Sequence, residues 1–76
     1  MPPRKPWWTG RQLVTALEAF GFEVQRQRGS HVVLRHPDVR TTVVPVHRGE
    51  VLGPGLLGKI LRDVDLTAAR IVAGPP

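Results

Sequence analysis

Three histidines are the residues of this chain best suited to acid–base chemistry. Histidine gains and loses a proton near neutral pH, so its side chain can take or donate a proton during phosphodiester cleavage. His31 directly follows Gly29-Ser30, where glycine allows a close backbone approach and the serine hydroxyl can bind a phosphate oxygen or fix a turn. We therefore select His31 as the candidate catalytic residue; the simpler interpretation is a solvent-facing histidine without a role.

The charge of the chain favours a polyanionic partner. Eleven Lys and Arg residues stand against six Asp and Glu residues, a formal net charge of +5, and every cation except Lys5 and Lys59 is an arginine. Arginine binds phosphate through two parallel hydrogen bonds. Arg28 and Arg35 are the cations nearest to His31 in the sequence and could neutralise a phosphate bound there. A basic surface that only keeps the protein soluble is the alternative.

The remaining side chains support few other kinds of site. His36, beside Pro37, is predicted to be a turn residue, whereas His47 follows the last predicted strand and is the better auxiliary candidate. A three-histidine zinc site is poorly supported, because nothing in the spacing imposes a common ligand face. Cysteine is absent, no close pair of carboxylates stands out, and no glycine-rich phosphate loop is present. We therefore expect no metal site and no cofactor.

The hydrophobic pattern predicts a helix, three strands and a second helix. Thr9 to Phe20 has helical periodicity, with Thr9 as the N-cap, Gln12 as its capping-box partner and Gly21 as the stop. Alternating segments separated by turn signals then predict the strands, and Pro54 suits the first turn of the second helix. The predicted strands are Phe22 to Arg28, His31 to Arg35 and Thr41 to Val46. A loop is predicted from His47 to Gly53, and a helical or extended tail from Ala68 to Val72.

These elements predict an α+β fold of the order α-β-β-β-α, with a three-stranded antiparallel sheet packed on two helices. One face of such a sheet is buried and the other is open to water. In the second strand, Val32 and Leu34 are expected to face the helices, which leaves His31 and Arg35 on the open face. The second helix is expected to bury a stripe formed by Leu56, Leu57, Ile60, Leu61 and Val64.

Length and composition predict one small domain that spans residues 1–76, with residues 1–8 as an N-terminal extension and residues 73–76 as a frayed tail. Trp7 or Trp8 is expected to cover the edge of the thin core, although both could stack on nucleobases. The absence of cysteine and of any long apolar segment indicates a cytoplasmic protein that does not enter a membrane.

Four segments of the chain, in their order and spacing, resemble the HicA toxins. The segments are Gly29-Ser30-His31, Arg35-His36-Pro37-Asp38, Val44-Pro45-Val46-His47 and Pro54-Gly55-Leu56-Leu57-Gly58-Lys59-Ile60-Leu61-Arg62. The resemblance runs from the first helix to about Leu66-Thr67. The chain departs from the common pattern at Val32, where many relatives have a second histidine, and in a longer segment from Met1 to Trp8.

HicA proteins are messenger-RNA interferases with a fold like the double-stranded-RNA-binding domain. The resemblance therefore implies an endoribonuclease toxin of a type II toxin–antitoxin system. In that family the histidine of the Gly-Ser-His motif is required for cleavage, which assigns this role to His31. It also implies two partners, mRNA and a HicB-like antitoxin that covers the active surface; we expect a monomer without the antitoxin. We expect metal-independent cleavage, with the RNA bound by Arg28, Ser30, Arg35 and His47.

Two other functions fit the same charge and fold. A non-catalytic RNA-binding module would bind RNA with a steep salt dependence and leave every strand intact. An interaction protein would use the basic surface only to dock an acidic partner and would have no RNA affinity at moderate salt.

Overall fold

A computed structural model describes residues 8–76 of the chain. The elements are α1 Gly10–Ala19, β1 Glu23–Arg28, β2 His31–Arg35, β3 Thr41–Pro45, α2 Pro54–Val64 and α3 Ala68–Ala73. The strands form one antiparallel sheet in the order β1-β2-β3, which confirms the predicted α+β order. The short helix α3 forms where the sequence allowed a helical or an extended tail. Trp7 and most of the predicted N-terminal extension lie outside the described residues.

Local hydrogen bonds set the two ends of α1. Thr9 Oγ1 accepts a hydrogen bond from Gln12 N at 3.2 Å, and Gln12 Oε1 accepts one from Thr9 N at 3.0 Å, which is the predicted capping box. After Phe20, Gly21 adopts a φ angle of +94°, in the left-handed region that favours glycine, and the chain leaves the helix. The predicted helix and both of its ends are therefore confirmed.

The core lies between one face of the sheet and the helices, with α1 and α2 both in contact with β3. The face assignment of β2 is confirmed, because Val32 and Leu34 are at most 3% exposed while His31 and Arg35 are exposed. Trp8 is partly buried against this core, as expected for one of the two tryptophans. The buried apolar side chains are Leu13, Val14, Leu17, Phe22, Val32, Leu34, Val44, Leu52, Leu57, Ile60, Val64 and Ile71.

Two apolar side chains, Leu56 and Val24, lie at the surface, and the exposure of Leu56 corrects its place in the stripe that the second helix is expected to bury. Leu56 is 38% exposed, because it stands at the margin of the α2 stripe and faces the loop that precedes the helix. Val24 is 43% exposed, because β1 is an edge strand and all six of its residues are exposed. A smaller correction concerns Val46, which lies just beyond the end of β3.

Candidate active site

His31 is the first residue of β2 and lies on the face of the sheet that the helices leave open. In the antiparallel register it is paired with Arg28 of β1 and with Pro45 of β3. Residues directly opposite each other on antiparallel strands point to the same face, with Cβ atoms about 4.5–5.5 Å apart. The sheet therefore brings His31 and Arg28 side by side on the open face.

The turn between β1 and β2 sets this pairing. Gly29 and Ser30 occupy the turn, which confirms the turn signal in the sequence, and Gly29 has a φ angle of +55°. Glycine adopts this left-handed conformation without the steric cost that a Cβ atom adds. Gln27 Nε2 also donates a hydrogen bond to Gly29 O at 3.0 Å. A tight, locally held turn thus sets the register at the point where β2 begins.

A β-bulge in β1 decides which face its arginines occupy. The pairing with β2 shifts by one residue at Gln25. β1 begins with Glu23 on the open face, and strict alternation from there would turn Arg26 and Arg28 to the helix side. With the bulge, both arginines share the open face with His31. Arg26 thus also belongs to the basic face, although the sequence does not reveal this because no local signal marks the bulge.

His47 approaches the same turn from the end of β3. Val46 N donates a hydrogen bond to Ser30 O at 2.6 Å, which ties the chain leaving β3 to the turn. The Ser30 Oγ and His47 Nε2 atoms are 3.4 Å apart, the separation of a long hydrogen bond. His47 also heads a turn of its own, in which Glu50 N donates to His47 O at 3.0 Å. The structure thus gathers Ser30 and His47 around the start of β2.

Arg35 lies at the opposite end of β2 from His31. The step between the two residues corresponds to about 13 Å along an extended strand. Arg35 shares the open face, where its cross-strand neighbours are Glu23 and Thr41. His31 and Arg35 thus stand at the two ends of the strand, where both can contact one extended polyanion.

The arginines of the open face have no carboxylate partner. All six Asp and Glu residues of the chain lie within residues 8–76, and the ion pairs in that range involve only Asp38 and Asp63. Arg26, Arg28 and Arg35 consequently form no ion pair with any carboxylate side chain. Glu23 stands opposite Arg35, whereas Arg26 and Arg28 stand opposite Val33 and His31 and face no carboxylate. Guanidinium groups without an anion beside them create a positive potential that attracts anions from solution.

His36 is held at the far end of β2, in the loop before β3. Its Nδ1 atom accepts a hydrogen bond from Asp38 N at 3.1 Å, and its ring packs edge-to-face on Phe22 with centroids 5.1 Å apart. Arg40 Nε donates to both Asp38 oxygens, at 3.0 and 2.9 Å. The side-chain hydrogen bond from Arg40 lowers the pKa of the Asp38 carboxyl below its ordinary value. The predicted turn role of His36 is confirmed.

Two surface hollows flank His47. The first has both polar and apolar residues in its wall, among them Glu50 and the partly exposed Val51 and Leu56. The second lies towards the start of α1 and carries Arg11 and Arg48. Within residues 8–76, no three His, Asp or Glu side chains are grouped closely enough to hold a metal ion.

The order of the elements, the Gly-Ser-His turn and the basic open face define a small α+β protein with an exposed histidine beside a group of arginines. The family model described as HicA toxin of bacterial toxin–antitoxin matches residues 10–66, most of the chain, and the protein belongs to this family. No curated protein is significantly similar to it in sequence. Membership supports a toxin role in a toxin–antitoxin system and implies a HicB-type antitoxin as partner. In the described part of the chain, no helix combines the length and apolarity needed to cross a membrane.

Proposed function

We propose that this protein is an mRNA interferase, an endoribonuclease toxin that cleaves RNA with His31 as its catalytic residue. The observation that carries the proposal is the exposed position of His31 on the open sheet face, directly opposite Arg28. A ring buried beneath the helices and away from every arginine would have contradicted it. We further propose that the RNA is bound by Arg28, Ser30, Arg35 and His47.

The proposed reaction is attack of a ribose 2′ oxygen on the adjacent phosphorus. One imidazole takes the proton of the 2′-hydroxyl, the bond between phosphorus and the 5′ oxygen breaks, and that oxygen receives a proton from a second group. His31 serves as the base or as the acid, and His47 is the proposed second group because it lies against the turn that precedes His31. A general acid or base contributes about 10²–10⁴-fold to the rate. No metal ion takes part in the proposed step.

The basic residues have separate parts in the proposal. Arg28 neutralises the phosphate at His31, because it stands opposite His31 on the same face of the sheet and its guanidinium group can reach an anion bound there. The Ser30 hydroxyl and the His47 ring bind oxygens of the same phosphate. Arg35 holds a phosphate further along the RNA, about 13 Å away along the strand. Arg26, which lies between these positions on the open face, joins them.

The HicB-type antitoxin is proposed to inhibit the toxin by covering this open face. Both RNA and antitoxin would then bind the same arginines, so they would compete. We propose a cytoplasmic site of action, where mRNA is the substrate, and a monomeric toxin when the antitoxin is absent. Expression of this chain alone is expected to arrest growth, and co-expression of the neighbouring gene's product is expected to relieve the arrest.

The test compares two histidines that flank the same strand. Purified wild type, His31→Ala and His36→Gln are incubated with RNA in the presence of EDTA, and the rate of strand cleavage is measured. We expect His31→Ala to lose about 10²-fold or more in rate. His36→Gln is the matched control and is expected to retain most of the activity, because its ring is held in the loop at the other end of β2.

The outcomes separate the proposal from its alternative. Thermal unfolding of each variant checks that the fold persists. Cleavage by His31→Ala at the wild-type rate would show that another group is catalytic. If the wild type binds RNA with a steep salt dependence but leaves it intact, with and without added divalent cations, the protein is a non-catalytic RNA-binding module.

A further inference from the structure

The second hollow beside His47 carries two arginines to which the proposed reaction assigns no part. Its lining residues are Thr9, Arg11, Val46, His47, Arg48 and Gly49. The hollow has a volume of about 360 Å³. Ligand pockets in proteins measure roughly 300–1,000 Å³, so this hollow has room for a phosphodiester group together with part of its sugar.

The charge of this hollow is positive and is not balanced by the protein. None of its lining residues is acidic. Arg11 and Arg48 are both exposed, and neither forms an ion pair with any of the six carboxylates, all of which lie within residues 8–76. Two guanidinium groups at one hollow repel each other, and an anion bound between them removes that repulsion. Phosphate is the anion that a guanidinium fork matches in geometry as well as in charge.

The position of Arg11 follows from close packing of α1 on β3. Gly10 is buried, and a Cβ atom at this position would overlap the carbonyl oxygen of Pro45. Glycine therefore lets the first turn of α1 lie directly on the backbone at the end of β3. On the other side, Leu52 N donates a hydrogen bond to Trp8 O at 2.8 Å, which holds the returning loop against the start of the helix. These contacts bring Arg11, distant in sequence, to the loop that follows β3.

We propose that Arg11 and Arg48 bind a backbone phosphate of the RNA next to the phosphate that is cleaved. This inference rests on the proposed function, because it extends the same RNA path. The path runs from Arg28 and His31 on the open face, past His47, to the start of α1. His47 lines the hollow and also reaches the turn before β2, so it joins the two phosphate positions.

The test measures RNA binding without cleavage. The probe is a fluorescent 2′-O-methyl oligoribonucleotide, which keeps every backbone phosphate but has no 2′-hydroxyl that could attack the phosphorus. Its affinity is measured by anisotropy across a series of salt concentrations for wild type, Arg11→Ala and Arg48→Ala. The matched control is Arg62→Ala, an exposed arginine of α2 that lies outside this hollow.

Loss of one phosphate contact has a defined signature. Each of the variants Arg11→Ala and Arg48→Ala is expected to weaken binding about two- to tenfold. Each is also expected to lower the slope of log affinity against log salt concentration by about 1. Arg11→Lys and Arg48→Lys keep the charge and are expected to keep the slope. Arg62→Ala is expected to keep both the affinity and the slope.

If both alanine variants show the same slope of log affinity against log salt concentration as the wild type, the inference is wrong. The same holds if these variants lose affinity for the antitoxin alone, since the hollow would then be a protein-docking site. Thermal unfolding shows whether each variant is folded. If an alanine variant is unfolded, the lysine variant at the same position is used instead, and a lower slope in that charge-keeping variant contradicts the site. Failure of the proposed function is a separate result, namely RNA cleavage by His31→Ala at the wild-type rate.

Discussion

The two ends of β2 each have a histidine and an arginine, and the molecule uses the two pairs in different ways. Beyond the C-terminal end of β2, Arg40 donates two hydrogen bonds to the Asp38 carboxylate, and His36 accepts one from the backbone N–H of Asp38. At the other end, Arg28 and His31 stand side by side on the open face, and Arg28 has no carboxylate partner.

Further contacts strengthen the first end. The Arg40 guanidinium stacks over the Phe22 ring at 5.2 Å from its centroid and donates a hydrogen bond to Val64 O at the end of α2. Polar groups that are satisfied inside the protein stabilise the fold, whereas cations left without partners are available to a ligand. The same residue types are therefore engaged in the fold at one end of the strand and left free for a ligand at the other.

The largest effect on stability is expected at the satisfied end. Phe22→Ala removes a side chain that is 2% exposed and on which both His36 and Arg40 pack. We expect the free energy of unfolding to fall by about 3–5 kcal/mol, measured by urea denaturation. Val24→Ala, in the exposed edge strand, is the matched control and is expected to change it by less than about 0.5 kcal/mol. Equal effects of the two changes would contradict the assignment of Phe22 to the core.

The two arginines test the comparison directly. Arg40→Ala removes its bonds to Asp38 and to Val64 O, and we expect a loss of about 1–3 kcal/mol in the free energy of unfolding. Arg28→Ala is expected to change stability by less than about 0.5 kcal/mol but to weaken RNA binding, measured by anisotropy. The comparison fails if Arg40→Ala weakens RNA binding more than Arg28→Ala does while both remain folded.

The turn at the open end allows a test in which two glycines respond with opposite signs. Gly29→Ala forces a side chain into a φ angle of +55°, and we expect a loss of about 1–2 kcal/mol in the free energy of unfolding. Gly55 lies in α2, and a Cβ atom added there would meet nothing within 4 Å, so Gly55→Ala is expected to stabilise the fold by about 0.4–1 kcal/mol. A stabilising Gly29→Ala would show that the turn does not require glycine.

The smallest effect concerns acid stability. Asp63 accepts hydrogen bonds from Lys59 Nζ at 2.8 Å and from Thr42 Oγ1 at 3.0 Å. The Lys59 hydrogen bond lowers the pKa of the Asp63 carboxyl below its ordinary value of 3.8. A lowered pKa in the folded state stabilises the protein above the unfolded-state pKa, and this contribution is lost as the pH falls through the folded-state pKa.

Urea denaturation at pH values from about 7 to 2 measures this contribution. Asp63→Asn is expected to lower the free energy of unfolding at neutral pH and to flatten its fall in acid. Asp65→Asn is the matched control, because Asp65 forms no ion pair among residues 8–76 and asparagine tolerates its φ angle of +54°. An unchanged acid profile in Asp63→Asn would assign the acid sensitivity to other carboxylates.

Local signals explain why most elements could be predicted. The Thr9 capping box, the left-handed glycines Gly21 and Gly29, and Pro54 at the start of α2 each act within a few residues, so their effect is visible in the sequence. The exposure of Val24 and Leu56 could not be predicted in the same way. Each has an apolar side chain at a plausible core position, but burial depends on where the sheet and the helix stripe end.

Signals in the amino-acid sequence were enough to predict the order of the elements, the turn before His31 and the family to which the chain belongs. Which charged side chains share a face depends on the three-dimensional fold. A bulge at Gln25 turns Arg28 towards His31, strand length separates Arg35 from it, and packing of Gly10 on β3 brings Arg11 to the loop after that strand. The two kinds of feature differ in the sequence separation of the residues that stabilise them. Caps and turns are stabilised by neighbours in the chain, whereas a shared face depends on register and packing between distant segments.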